Sequence, residues 1–160
     1  MQIVGAKLDQ VYTATEVGNS AESGKNPGLG NVYEAPDGKA YKFVLYDTGA
    51  GSVAAVIGQV AYYYLAGGSQ DSVVTSDISD SVNIGAGVLM SAPGDGEYGW
   101  IQISGKATLS IALTAGADGN ALTAVGATDG TLDVSGAVTD AVCAYADDAS
   151  AKEIICCFPR

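Results

Sequence analysis

The chain has 160 residues, enough for one domain or for a domain with an arm. Its net charge of −11, from 7 Lys and Arg against 18 Asp and Glu, argues against nucleic acid as the main ligand, because phosphate contacts need a basic surface. Charged residues are 16% of the chain and 22 residues are glycine, about twice the usual ~7% share, which points to short strands and turns in place of helices with charged outer faces.

In chain order, residues 1–17 (MQIVGAKLDQVYTATEV) alternate only partly and hold few large apolar side chains. Residues 18–30 (GNSAESGKNPGLG) have the Gly, Ser, Asn and Pro content of a loop. Residues 1–30 are therefore expected to form an arm that orders against something else, and 31–160 a single β domain. NVYEAPDGKAYKFVLY predicts a hairpin about the PDG turn, with Tyr41, Phe43 and Leu45 on one face and Lys42, Val44 and Tyr46 on the other. Residues 49–68 carry helical apolar spacing, but Gly58 interrupts it and VAYYY is rich in strand formers; two short strands bent at Gly58-Gln59 are expected. SQDSVVTSDISDSVNIGAG suits an edge strand and then a surface loop. Val88–Met90 reads as a strand, APGDG as a turn and EYGWIQIS as the next strand, with Trp100, Gln102 and Ser104 opposite Ile101 and Ile103. Lys106–Leu113 alternates again. Beyond it, small turn residues precede short apolar runs every ~8–12 residues, a spacing that fits a sandwich or barrel. EIICCF closes the chain as a strand ended by Pro159. The expected fold is all-β: a compact β-sandwich or small β-barrel of short antiparallel strands, with an extended N-terminal arm.

Charge is uneven. Residues 1–60 hold four Lys and six acids, net −2, and residues 61–160 hold three cations and twelve acids, net −9. That makes the second part a solvated acidic surface. Cys143, Cys156 and Cys157 read as reduced thiols from a cytosol, with Cys143 and one of the adjacent pair buried. No apolar run of ~18 residues predicts a membrane-crossing helix, and MQIVGAKLDQ lacks the plan of a signal peptide.

Chemistry is sparse. Without histidine, Ser-His-Asp and Cys-His arrangements are excluded. Carboxylate pairs remain: Asp77 with Asp80, Asp95 with Glu97, Asp147 with Asp148. Turn chemistry, in which Asp bonds nearby backbone, outweighs catalysis as their reading. Asp118, Asn120 and Asp129 resemble fragments of calcium loops, but none completes the pattern. No cofactor is expected. Tyr62, Tyr63, Tyr64, Tyr98 and Trp100 offer rings for a sugar or a protein interface, with core packing the default for Trp100.

LGNVYEAPDGKAYKFVLYDTGAGSVAAVIGQVAYYY resembles a motif order found in small tailed-phage virion proteins. GEYGWIQISGKATL and the glycine-rich run after it are similar to the second half of phage head decoration (cement) proteins. The resemblance spans about residues 29–110 and, more loosely, the C-terminal third. It implies a non-enzymatic protein, made in the host bacterial cytoplasm and located on the capsid exterior. Its partner would be the major capsid protein, whose neighbouring subunits it clamps, often as a homotrimer; neither nucleic acid nor membrane is a partner. Ile3, Val4, Leu8, Val11 and Tyr12 of the arm, with Tyr62, Tyr64 and Trp100, are the candidate partner-binding residues. The alternative is a carbohydrate-binding β-module of a phage fibre or other tail component.

Overall fold

A computed structural model describes residues 5–18, 27–65 and 72–160. Among the described residues the protein is all-β apart from one short helix, α1 (Ala14–Gly18), and a 3-10 turn at Ile78–Asp80. Ten strands follow in order: β1 (Val32–Glu34), β2 (Ala40–Tyr46), β3 (Val60–Tyr64), β4 (Val73–Thr75), β5 (Ser81–Leu89), β6 (Tyr98–Thr108), β7 (Ala121–Thr123), β8 (Asp133–Val134), β9 (Val142–Asp148) and β10 (Glu153–Cys157).

The predicted hairpin is present, with β1 antiparallel to β2 and Tyr33 opposite Tyr41. β2 then pairs with β6, Phe43 opposite Trp100. The pairings β2–β4, β4–β3, β3–β5, β5–β6 and β6–β2 run in a cycle. From β6 the sheet continues through β10, β9, β7 and β8. The all-antiparallel expectation needs one correction, because β2 and β4 are parallel and the sheet is mixed. β4 turns back from β3 and inserts between β3 and β2, so it must share the direction of β2.

Three local expectations also change. Before the turn at residues 57–58 no strand forms; only Val60–Tyr64 is regular, and residues 53–56 instead follow a loop closed by the Val53 N–H to Thr48 carbonyl bond. Ser81–Gly87 is not a surface loop but most of β5, whose Gly85, Ala86 and Gly87 are buried. The separate strand expected from Lys106 is the continuation of β6 as far as Thr108.

The main core draws on both groups of strands, those of the cycle and those beyond it. It holds Val44, Tyr46, Val60, Tyr62, Leu89, Ile101 and Ile103 from the first group, and Leu122, Cys143, Ile154 and Phe158 from the second. Cys143 and Cys156 are buried and Cys157 is exposed, as alternation along β10 requires. Burial pushes the Cys143 and Cys156 thiols up to about 12. The two groups of strands meet most tightly at Gly85, where an added Cβ would lie 2.7 Å from Cys143 Sγ and 2.8 Å from Phe158 Cε1. Only glycine lets β5 approach that closely.

Gly85→Val should therefore force these side chains apart and cost about 1–3 kcal/mol of stability. Equilibrium urea unfolding checks this, and a midpoint equal to that of the parent would show that the contact yields freely.

Candidate functional site

The outer face of the β2–β6 pair carries a second, smaller core. Alternation aims Tyr41 and Phe43 from β2, and Tyr98 and Trp100 from β6, to this side. The Phe43 and Trp100 rings meet edge to face at 5.3 Å, Tyr12 meets Phe43 the same way at 5.3 Å, and Phe43 stacks on Tyr98 at 5.9 Å. Tyr33 closes the far side of Trp100 at 6.4 Å. Such ring pairs contribute about 0.5–1.5 kcal/mol each beyond the area they bury.

The lid of this cluster is the N-terminal segment. Tyr12 and Tyr98 exchange backbone hydrogen bonds of 2.9 and 2.8 Å in an isolated bridge. Ala6, Leu8 and Val17 pack beside Tyr12 on the same cluster. The helix α1 that carries Val17 begins with a capping box: the Thr13 N–H donates to Glu16 Oε2 at 2.7 Å, and the Glu16 N–H donates to Thr13 Oγ1 at 3.3 Å. The Thr13 N–H bond, joined by one from the Thr13 hydroxyl to the same oxygen at 2.9 Å, holds the Glu16 carboxyl below its ordinary range. The segment expected to order against something else thus pairs, at Tyr12, with a strand of its own chain.

Each candidate residue can now be placed. Trp100 and Tyr62 are fully buried, and Tyr12 is buried under its own segment. Leu8, Val11 and Tyr64 are half-buried. Ile3 and Val4 lie outside the described residues. Leu8, Tyr12 and Trp100 come together in one cluster; Tyr62 belongs to the main core on the other side of the sheet. There its hydroxyl accepts from the Thr131 N–H at 2.9 Å and donates to the carbonyls of the 128–131 loop, and burial holds the phenol well above its usual range. Neither Trp100 nor Tyr62 presents a ring face on which a sugar could stack. Tyr98, one of the rings singled out from sequence, joins Trp100 in this cluster, whereas Tyr33, Tyr41 and Phe43 were not among the candidates. Their signal was alternation in step with Trp100 on neighbouring strands.

The acids are arranged around one loop. Thr48, Gly49, Ala50 and Gly51 present successive N–H groups, which donate in turn to Asp95 Oδ1 (3.1 Å), Asp47 Oδ1 (2.9 Å), Asp80 Oδ2 and Asp77 Oδ2 (2.9 Å). Asp77 and Asp80 do come together here, flanking Gly49. Asp77 also caps the 3-10 turn, accepting from the Ser79 hydroxyl at 2.6 Å and the Ser79 N–H at 3.0 Å. Those bonds, the Ser79 hydroxyl first, hold its carboxyl below the ordinary value against the opposing effect of burial. The other acids singled out from sequence also take turn amides: Glu97 from Gly94, Asp148 from Ala151, Asp118 from Ala149 and Asp129 from Ile78. Asp147 instead pairs with Lys106 at 2.9 Å. Among the described residues no three His, Cys, Asp or Glu side chains converge as metal ligands, and no helix is long and apolar enough to cross a membrane.

No protein-family model matches the chain, no curated protein is similar to it, and no solved structure shares its fold at a significant level.

Deleting residues 1–18 should uncover Phe43, Tyr98 and Trp100, shift the emission of the single tryptophan to the red and lower stability by about 2–5 kcal/mol, the range for emptying an apolar site. Unchanged emission and an unchanged unfolding midpoint would show that the segment is not a lid. Asp77 has a folded pKa below its unfolded one. Its contribution is thus complete above the unfolded pKa, near 3.8, and is lost as pH falls through the lower folded value. Asp77→Asn should lower stability at pH 6 by about 1–3 kcal/mol and flatten the dependence of stability on pH between 5 and 2. Unfolding followed by circular dichroism across that range reads both effects.

Proposed function

We propose that this protein is a non-enzymatic structural component of a tailed-phage virion, a decoration (cement) protein. It binds the outer surface of the assembled head and stabilises contacts between major capsid protein subunits. It acts as a homo-oligomer, a trimer in this reading, without a cofactor. The cycle of five pairings is read as a small closed β-barrel with the β10-β9-β7-β8 sheet packed on it, a scaffold without a free strand edge around the ring.

The observation that carries the reading is the use of the carboxylates. Asp77, Asp80, Asp95 and Glu97, the acids best spaced for acid–base work, accept backbone amides of loops. Acids used this way stiffen connections and leave a body whose value lies in the surface it covers. The resemblance of its strand and turn order to phage decoration proteins supports the major capsid protein as the partner of that surface. Mechanism then reduces to linkage. A protein that binds only the assembled shell stabilises it, by about 2.7 kcal/mol per site when its free concentration is a hundred times its Kd. A symmetric oligomer spanning several subunits multiplies weak contacts.

Purified protein added to expanded heads that lack it should co-sediment at a fixed ratio to the major capsid protein and raise the temperature at which the shells open. Absence of binding to heads, or localisation to tails in intact particles, would overturn this reading.

A further inference from the structure

The contact between the N-terminal segment and the body has two halves, and every copy of the chain carries both. One half is residues 5–18; the other is the cluster of Phe43, Tyr98 and Trp100 on the outer face of β2 and β6. The join between them is narrow. Among the described residues, backbone hydrogen bonds link the segment to the rest of the chain only at Tyr12, through the pair exchanged with Tyr98 at 2.9 and 2.8 Å. The remaining hold is apolar: the Tyr12 ring meets Phe43 at 5.3 Å, and Ala6, Leu8 and Val17 pack on the same cluster.

The segment is also shaped from within. The Gln10 N–H donates to the Lys7 carbonyl at 3.2 Å and the Val17 N–H to the Thr13 carbonyl at 3.1 Å, while Thr13 and Glu16 cap α1 on each other. None of these bonds comes from the body, so the segment can leave one surface and settle on another as a unit. Residues 19–26, NSAESGKN, connect it to the body, and their sequence holds no apolar side chain larger than alanine. The connection therefore brings no apolar anchor that would dictate which body the segment covers. From Gly18 to Pro27 an extended chain reaches up to about 30 Å, enough to pass to an adjoining copy.

We propose that residues 5–18 are exchanged between copies, so that Tyr12 of one copy bonds Tyr98 and covers Phe43 and Trp100 of the next. The occupant is a second copy because the structure already displays the fit: each contact of the closed chain is reproduced when the same segment arrives from a neighbour. Exchange thus sacrifices no contact and is opposed only by the entropy of bringing copies together and by their mutual charge. A closed ring, in which every copy gives one segment and receives one, offsets the first. Charge is least obstructive at this place. The chain carries net −11, yet residues 5–18 contribute only Lys7, Asp9 and Glu16, net −1, and the surface they cover is built from aromatic rings. The inference rests on the self-association in the proposed function, not on the capsid as partner.

Isotope mixing tests it on the full chain. Protein bearing Tyr12→p-benzoylphenylalanine is prepared in 15N-labelled and unlabelled forms, which are unfolded, combined in equal amounts, refolded together over a range of concentrations and irradiated. Mass spectrometry should find that about half of the links from position 12 to peptides holding Phe43 or Tyr98 join a labelled to an unlabelled chain. Links that join only like with like at every concentration overturn the exchange. Because the larger ring can disturb the contact, Tyr12→Ala gives a second reading by sedimentation velocity, with circular dichroism showing that the sheet persists. The parent should be oligomeric and the Y12A chain should associate at least tenfold more weakly. A parent oligomer that Y12A leaves unchanged places the interface elsewhere, overturning the exchange while sparing self-association. A parent that is monomeric at all concentrations overturns both, and leaves binding to heads to be judged by co-sedimentation.

Discussion

β6 is the strand on which the remainder of the molecule depends, because both of its faces are buried from Gly99 to Ile103 and both of its edges are bonded. One edge serves β2, and the other serves β5 and then β10. Ile101 and Ile103 point into the main core while Trp100 points into the aromatic cluster. Between Tyr98 and Ile103 this strand cannot shift register by one residue without exchanging its inward set, Ile101 and Ile103, with the outward Tyr98 and Trp100. The inward set seals the cycle of strands; the outward one seats the N-terminal segment.

The second constraint is the supply of hydrogen-bond acceptors to loops. Strands of two to eleven residues need many connections, and each connection carries amides that no ladder satisfies. In this chain the acceptors are mostly aspartates. Four of them bind consecutive amides between Thr48 and Gly51, and Tyr46 adds its hydroxyl to the Val53 carbonyl from within the core. The acidity that marks the sequence is therefore partly an internal requirement of a turn-rich fold and not only a coat of surface charge.

Much of the architecture was legible. Period-two alternation around PDG gave the first hairpin, and the same rule separated Trp100 from Ile101 and Cys156 from Cys157. The parts that were not legible share a cause, which is burial supplied by residues distant in sequence. Ser81–Gly87 has the glycine and polar content of a loop, yet Cys143 and Phe158 cover it and make it strand. The parallel pairing of β2 with β4 has no local signature at all. In the N-terminal segment a signal was present and went unused: Thr-Ala-Thr-Glu is a capping box and announces α1. For the candidate residues, sequence correctly held Trp100 to be a core side chain by default, but it could not bring Leu8 and Tyr12 to it, because that contact joins segments some ninety residues apart.

The position of β10 has a consequence for how the protein is made. It lies between β6 and β9, and Phe158, just beyond it, packs on β5. While a ribosome still shields those residues, Ile154 and Phe158 are missing from the main core and one edge of β6 from Ser104 onward stands bare. The sheet closes only once β10 has joined, and long-range closure of this kind is slow. During that interval the nascent protein carries an open template for pairing with a neighbour. Docking of β10 and Phe158, not the early hairpin, is the step that ends this exposure.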